Sequence, residues 1–288
     1  MRGRTFPISL RAIAGGLSLW ALFSGCGAPL AQVDSGLLPR PPRDAITFWG
    51  HACSYIDVGG YGIVTDPVFE KHIIIRRRKV PAPPPVSYEQ TRLVLISHAH
   101  NDHLSPHTLE TFPDSTLILC PAPAAPYLRD LNQRVKVMLP GDVHEFPGGR
   151  VTAVVANHTG GRWAMLPFPD GRALGYVINT SSGTIYYSGD SEYFSGFESV
   201  AREYKPDLAL LNINGSHLSW NEAVLAARDL QAPIVVPMHF GAFGYLFLGE
   251  QKRPRGYAKA ERELGSVLRL LELGESLSLR EIRAASLP

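Results

Sequence analysis

Leu93-Val94-Leu95-Ile96-Ser97-His98-Ala99-His100-Asn101-Asp102-His103 carries most of the information in this chain. An apolar run of strand character stops at Ser97. Three imidazoles and one carboxylate then follow within six residues. A strand fixes where its C-terminal loop sits, so these side chains are held on a rigid element. The alternative is a polar loop that happens to be rich in histidine. Packing four metal-ligand side chains this tightly argues against it. Histidines at i and i+2 leave a turn on one side, and Asp102 and His103 swing to a second. The spacing predicts two adjacent cation sites.

The same local grammar recurs downstream. His158 follows the apolar run Val151–Ala156, Asp190 follows Thr184–Tyr187, and His239 ends the run from Ile234. Gly160, Gly189 and Gly241 lie within two residues of these ligands. Glycine lets the backbone turn sharply beside a ligand. The sum is His98, His100, Asp102, His103, His158, Asp190 and His239. Five imidazoles and two carboxylates suit two divalent cations of the zinc type, with one carboxylate able to bridge. Such a pair, about 3.5–4 Å apart, would hold and acidify a bridging water and clamp an in-line displacement or a carbonyl attack.

His-x-His-x-Asp-His followed by spaced His, Asp and His resembles the metallo-β-lactamase superfamily of hydrolases. The resemblance runs from about Ala45 to the C-terminus. Trp49-Gly50-His51-Ala52, Thr65-Asp66-Pro67-Val68-Phe69 and Tyr186-Tyr187-Ser188-Gly189-Asp190-Ser191, with the proline-rich segment before the histidine cluster, are similar to one branch of it. That branch contains N-acyl-phosphatidylethanolamine-hydrolysing phospholipase D and bacterial ascorbate-6-phosphate lactonase. The resemblance implies a four-layer αβ/βα sandwich, an α/β (α+β) fold of two mixed sheets flanked by helices. It implies two Zn2+ ions: one on His98, His100 and His158, the other on Asp102, His103 and His239. Asp190 would bridge, Asp102 and Asp190 would serve the chemistry, and Asp66 would steady the histidine loop. The chain departs from the phospholipase-like pattern after the second motif, where it reads His158-Thr159-Gly160-Gly161-Arg162-Trp163. The compact segment Asn212–Trp220 looks more like the small hydrolases of this branch.

The expected reaction is hydrolysis of a phosphodiester, such as an N-acylethanolamine phospholipid-like substrate, through a metal-bridging hydroxide. A lactone or other carbonyl ester is the alternative, and a non-catalytic metal-binding envelope lipoprotein is a third reading. A β-lactamase proper fits less well, because the third motif offers Asp190 where that group has cysteine. A redox di-iron role fits less well, because His100 stands where a carboxylate is usual. His51, in a family motif, and His217, before a helix, are expected near the substrate. Arg162 is a candidate phosphate contact, since a guanidinium matches phosphate oxygens bidentately. His72, His107 and His144 read as surface or capping residues.

The remainder reads as alternating strands and helices in one domain, 45–288. Short strands are expected at Ala45–Trp49, Ser54–Val58 and Tyr61–Thr65, the last two turned at Gly59-Gly60. Further strands are expected at Leu117–Cys120, Val135–Leu139, Ala173–Asn179, Leu208–Ile213 and Ser276–Leu279. Helices are expected over Ala122–Leu131 and Asn221–Leu230, Tyr193–Tyr204 is amphipathic, and Tyr257–Leu271 carries apolar residues at helical spacing. Glu70–Pro85 mixes isoleucine, arginine and lysine before a proline run. It reads as an exposed excursion, either able to lie on a membrane or meet an anionic substrate, or a solvated charged loop with a small hydrophobic tuck.

Met1–Arg11 carries three arginines and no acid, and Ala12–Phe23 is apolar and small-residue rich. With Phe23-Ser24-Gly25-Cys26 this resembles a bacterial lipoprotein signal: residues 1–25 removed, Cys26 lipidated, 26–44 a linker. The expected location is the periplasmic side of the cell envelope, lipid-anchored. The formal net charge of +2 falls to about −1 without Arg2, Arg4 and Arg11. Neither value points to nucleic acid, and a small-molecule or lipid ester is the expected partner. The sequence leaves the oligomeric state unassigned. Cys53 and Cys120 read as buried thiols, with a disulfide as the alternative.

Overall fold

The computed structural model describes residues 38–73, 76–159, 162, 172–213, 217–245 and 256–286. The signal and lipidation assignments, Cys26 included, and most of the linker lie outside these residues. In chain order the strands are β1 Ala45–Gly50, β2 Cys53–Val58, β3 Tyr61–Thr65, β4 His72–Ile73, β5 Arg76–Arg78, β6 Thr91–Leu95, β7 Leu117–Pro121 and β8 Arg134–Met138. They continue as β9 Val143–Phe146, β10 Gly149–Thr159, β11 Arg172–Thr180, β12 Gly183–Tyr187, β13 Leu208–Asn212, β14 Ile234–Met238, β15 Phe243–Tyr245 and β16 Ser276–Ser278. The α-helices are α1 Pro85–Glu89, α2 Pro106–Leu109, α3 Gly196–Tyr204, α4 Trp220–Leu230, α5 Tyr257–Leu264 and α6 Leu279–Ala285.

Two mixed sheets face each other, in the strand orders β16-β1-β2-β3-β6-β7-β8 and β14-β13-β12-β11-β10-β9. β3, β6, β7 and β8 run parallel, as do β12, β13 and β14. A parallel strand inside a covered sheet is buried on both faces and reads as a continuous apolar run. β6 shows this. Leu93 and Leu95 enter the core between the sheets with Tyr176, Ile178 and Leu210. Val94 and Ile96 enter the outer core with Trp49, Leu109 and Phe112. On the second sheet's outer face, Val177 and Leu211 pack with Phe197, Trp220 and Leu230 from α3 and α4. The result is a helix-covered, two-sheet α/β sandwich, as the family resemblance implied.

Local chemistry sets the element ends. Gly59 and Gly60, both at positive φ, turn β2 into β3, as a two-residue hairpin loop demands. α4 starts at a capping box in which the Ser219 hydroxyl accepts from the Glu222 N–H. Cys53 and Cys120 are buried and unpaired, and their thiol pKa values are pushed upward by burial, that of Cys120 to about 12.

Several elements differ from the sequence expectation. The helix expected over Ala122–Leu131 is a 3-10 turn at Ala125–Leu128, because Pro123 and Pro126 remove backbone donors. The helix expected over Tyr257–Leu271 ends at Leu264, where Gly265 takes a positive φ. Leu268 then lies extended beside Val235. The strand β9 was not anticipated.

The largest difference concerns Glu70–Pro85. Part of this segment is built into the fold: β4 and β5 join β15 in a third, three-stranded sheet. Arg78 is buried at its base. Its guanidinium donates to the carbonyls of Val68 (2.9 Å), Pro81 (3.2 Å) and Trp49 (3.4 Å). The same group lies 5.6 Å from the ring centres of both Phe69 and Phe243. A planar fork of five donors between two aromatic faces suits arginine and not lysine. Replacing Arg78 with methionine leaves two buried carbonyls and one half-buried carbonyl without these donors. An expected loss of about 2–4 kcal/mol follows, measurable by urea denaturation of both proteins. A change within about 0.5 kcal/mol, the range of ordinary surface substitutions, would show that the hairpin is not fastened this way.

Candidate metal centre

The candidate ligands stand where strands end. In sheets with parallel strands, ligands gather beyond the carboxyl ends of those strands. β6 leads to His98–His103, β10 ends around His158, β12 leads to Asp190, and β14 leads to His239. β1 delivers His51 and β3 delivers Asp66 to the same edge.

The loop after β6 is held by its own backbone. The N–H groups of His103 and Leu104 both donate to the His100 carbonyl, at 3.0 and 2.9 Å. Ser97 accepts from Leu174 N–H of β11 at 2.8 Å. Gly189, at φ +55°, lets the Asp190 loop pass close over Ser97. A β-carbon there would sit 2.8 Å from the Ser97 Cβ, so no other residue fits without a shift. His51, Asp66 and His239 also take positive φ, a costly conformation for a side-chain-bearing residue. Backbone bonds pin two of them: His239 N–H donates to His51 O at 2.7 Å, and His51 N–H donates to Phe240 O at 3.1 Å.

Among the described residues four overlapping groups of side chains could hold a metal ion, Asp66-His98-His103 and His158-Glu192-His217 among them, and the expected ligands fall mainly in the other two. His98, His100 and His158 form the first. Their rings meet nearly at right angles, with centroids 4.4–4.9 Å apart. His51, Asp102, His103 and His239 form the second. The groups adjoin through His98 and His103, whose ring centroids are 4.1 Å apart. Asp190 reaches the second group, its Oδ2 lying 3.2 Å from His103 Nε2 and 3.3 Å from His239 Nε2.

Ring nitrogens from different strands face each other across the site. His100 Nδ1 and His158 Nε2 are 3.3 Å apart, and His103 Nε2 and His239 Nε2 are 3.0 Å apart. Two imidazole nitrogens facing each other need one proton, or a cation, between them. Ligands about 2.1 Å from one tetrahedral cation stand roughly 3.4 Å from each other, close to the observed spacing. His98 Nε2, His100 Nε2 and His158 Nδ1 are buried with no hydrogen-bond partner among the described residues. Orphaned nitrogens of this kind are costly when nothing binds them. The donor set fits divalent cations of the zinc type.

Behind the ligands stands Asp66. Its Oδ1 accepts from Ser97 N–H at 2.7 Å. Its Oδ2 is approached by Ser97 Oγ (2.5 Å), Tyr187 Oη (2.5 Å) and His103 Nδ1 (2.7 Å). Ser97 Oγ, whose proton goes to Asp66, accepts from His98 Nδ1 at 2.8 Å. His98 and His103 therefore carry their protons on Nδ1, and both Nε2 atoms turn to the site. The Asn212 amide donates to Tyr187 Oη (3.3 Å) and to Asp190 Oδ1 (3.0 Å), extending the network to Asp190.

Protonation follows from this packing. Burial pushes His51 and His158 down to about 3, His100 to about 4, and His98 well below the usual range. His103 is the exception. Burial opposes its charge, but the charge of Asp190 and the hydrogen bonds His103 donates to Asp190 and Asp66 raise it well above the ordinary value. Burial would raise Asp102 and Asp190 as well. The imidazoles around them prevail, His51 by hydrogen bond for Asp102 and His103 by charge for Asp190, and both stay ionised. Neutral imidazoles and ionised carboxylates are the forms that bind metal, so a cation on His103 would displace its Nε2 proton.

Other expected residues fall differently. His51, anticipated as a substrate contact, lies inside the second group, its Nε2 3.3 Å from Asp102 Oδ2. Arg162, anticipated as a phosphate contact, donates to the carbonyls of Leu104 (2.7 Å) and Ala99 (3.4 Å) and lies over the Tyr127 ring. It braces the histidine loop. His217 sits beside His158, rings 4.4 Å apart, with Nδ1 3.8 Å from Glu192. These three could themselves hold a metal ion. Ser97, Tyr187, Asn212, Glu192 and Arg76 were not singled out from the sequence. Asn212 had a readable signal, a polar residue ending the apolar strand β13. The others had none that was local.

Two outcomes follow. Asp66→Asn preserves shape but cannot accept all these bonds as an anion. Metal affinity measured by chelator competition should fall roughly 10–100-fold, with both ions affected. Loss of only one ion would contradict the shared support. In chelator-treated protein, stability should fall as pH drops from about 6.5 towards 4. Over that window the unfolded chain takes up protons that folded His51, His98, His100 and His158 refuse, so falling pH favours unfolding. Each histidine contributes at most about 1.4 kcal/mol per pH unit. His103 acts oppositely and above pH 6.5, where the folded chain keeps a proton that the unfolded chain has lost. Calorimetry from pH 7.5 to 4.5 reads the effect, and a flat melting temperature would refute it.

Comparison with known proteins places this arrangement. The family model described as the β-lactamase superfamily domain matches residues 61–240. A UPF0173 metal-dependent hydrolase of Methanoculleus marisnigri is 32% identical over 238 residues, covering 81% of this chain and 96% of the relative. One from Exiguobacterium is 29% identical over 204 residues, covering 69% and 86%. Among solved structures, Igni18, a metallo hydrolase from Ignicoccus hospitalis, matches with a TM-score of 0.62 at 24% identity, covering 81% of this chain and 97% of its own. An isothiocyanate hydrolase from Delia radicum gut bacteria matches with a TM-score of 0.64 at 19% identity, covering 81% and 98%. With a helix-covered two-sheet sandwich and two His/Asp groups at its strand ends, the chain belongs to the metallo-β-lactamase superfamily and is a metal-dependent hydrolase.

Proposed function

We propose that the protein is a dinuclear zinc hydrolase of a phosphodiester. The observation that supports it most is the adjacency of two ligand groups with Asp190 set against them. His98, His100 and His158 would hold one cation. Asp102, His103 and His239 would hold the other, with His51 beside them and Asp190 shared. When bound, the ions supply Lewis acidity at the scissile bond and acidify a water. The chain's own residues do the positioning. Asp66 and Ser97 fix the tautomers of His98 and His103. Asn212 holds Asp190 Oδ1, leaving Oδ2 for the site. The apolar core behind the loop keeps water from that side. Asp102 and His217, with side chains 21% and 28% exposed, mark the side open to a substrate.

One observation favours a second reading, a lactone or other carbonyl ester. Arg162, the expected phosphate contact, is engaged by Ala99 and Leu104. Side-by-side kinetics on phosphodiester and lactone panels separates the readings. A preference for lactones above roughly 10³, about 4 kcal/mol of barrier, would reverse the order. Purified without chelator, the protein should carry about two equivalents of metal and cleave bis-p-nitrophenyl phosphate. Metal content near zero would end the proposal.

The arginine-rich, then apolar leader supports a further element of the reading: lipidation at Cys26 and action from the periplasmic membrane face. Radiolabelled palmitate should enter the wild-type chain in cells and not Cys26→Ser. Equal labelling of both would refute it.

A further inference from the structure

The three-stranded sheet brings a cation to the rim of the centre. On β5, Arg76 and Arg78 lie two residues apart, so their side chains leave the same face. Arg78 is the buried anchor described above. Arg76 reaches the centre, with Nη1 3.3 Å from Asp102 Oδ2 and a side chain 37% exposed. The strand cannot easily drift. β5 pairs with β15, Arg76 opposite Tyr245 and Arg78 opposite Phe243. β15 begins four residues after His239, and Lys79 N–H donates to Ala242 O at 2.8 Å. A guanidinium is thus fixed at the open side, next to the most exposed carboxylate of the ligand set.

We propose that Arg76 is the specificity-determining residue for an anionic ester, binding a substrate oxyanion beside the scissile bond. This rests on the hydrolase reading of the same site. Two divalent cations and Arg76 outweigh the charges of Asp66, Asp102 and Asp190, so the loaded site is net positive and favours an anion. An arginine fork pairs two oxygens of a phosphate or carboxylate. Once a cation takes Asp102, the guanidinium at its edge faces both that carboxylate and the entering substrate. The shared chemistry is the oxyanion, whether it belongs to the phosphodiester itself or to a carboxylate or phosphate next to a carbonyl ester.

The test uses the metal-loaded full chain, wild type against Arg76→Gln and Arg76→Lys. Calorimetry with inorganic phosphate reads anion binding without turnover. Affinity should fall roughly 10–100-fold in Arg76→Gln, the value of a charge-assisted bidentate contact. Arg76→Lys should fall between, keeping the charge and losing the fork. The ratio of kcat/KM for bis-p-nitrophenyl phosphate over neutral p-nitrophenyl acetate should drop at least tenfold in Arg76→Gln, mainly through KM. A carboxylate-bearing ester tested beside them assigns the source of the oxyanion. Unchanged phosphate affinity, or equal loss on charged and neutral esters, would overturn the proposal. Loss of metal from Arg76→Gln would also overturn it, placing Arg76 in support of Asp102 instead. If wild type cleaves no ester yet binds phosphate through Arg76, the hydrolase reading fails and the anion site stands.

Discussion

One carboxylate organises this site. Asp66 sits between four donors, and each leads to a different part of the centre. The backbone of Ser97 fixes the end of β6. The Ser97 hydroxyl sets the tautomer of His98, the His103 ring is held directly, and Tyr187 passes the connection to Asn212 and Asp190. A buried anion is tolerable only when fully hydrogen-bonded. Asp66 meets that condition by drawing on β3, β6 and β12 at once. The arrangement explains how ligands from separate strands point at common positions before any ion arrives.

Preorganisation has a backbone counterpart. His51, Asp66 and His239 occupy left-handed φ values, where side-chain-bearing residues are strained. The surrounding contacts over-determine them. The core between the sheets supplies the stiffness, and β1, β3, β6, β10, β12 and β14 deliver their ligand-bearing loops at one edge.

Much of this was readable in the sequence, for a physical reason. Strand periodicity and the step from apolar run to ligand are local signals. His98, His100, Asp102, His103, His158, Asp190 and His239 all carried them and all fall at this edge. What escaped depends on distant partners. Arg78 looks like surface charge until Val68, Trp49 and Phe243 surround it. β4 and β5 hide beside a proline run because their partner strand begins at Phe243. A helix was expected after β7, and Pro123 and Pro126 prevent it. β9 is short and carries His144 and Glu145, too polar to announce an edge strand.

The backbone bonds between His51 and the His239–Phe240 segment join the first strand of the fold to its last ligand. β1 also pairs with β16 near the end of the chain. A protein emerging from the ribosome in order would therefore expose His98, His100 and His103 long before His239 could reach them. Metal capture by the complete set is a late event, coupled to closure of distant contacts rather than to local folding. A chain truncated before Met238 would keep six of the seven candidate ligands and lack His239, which closes the second group.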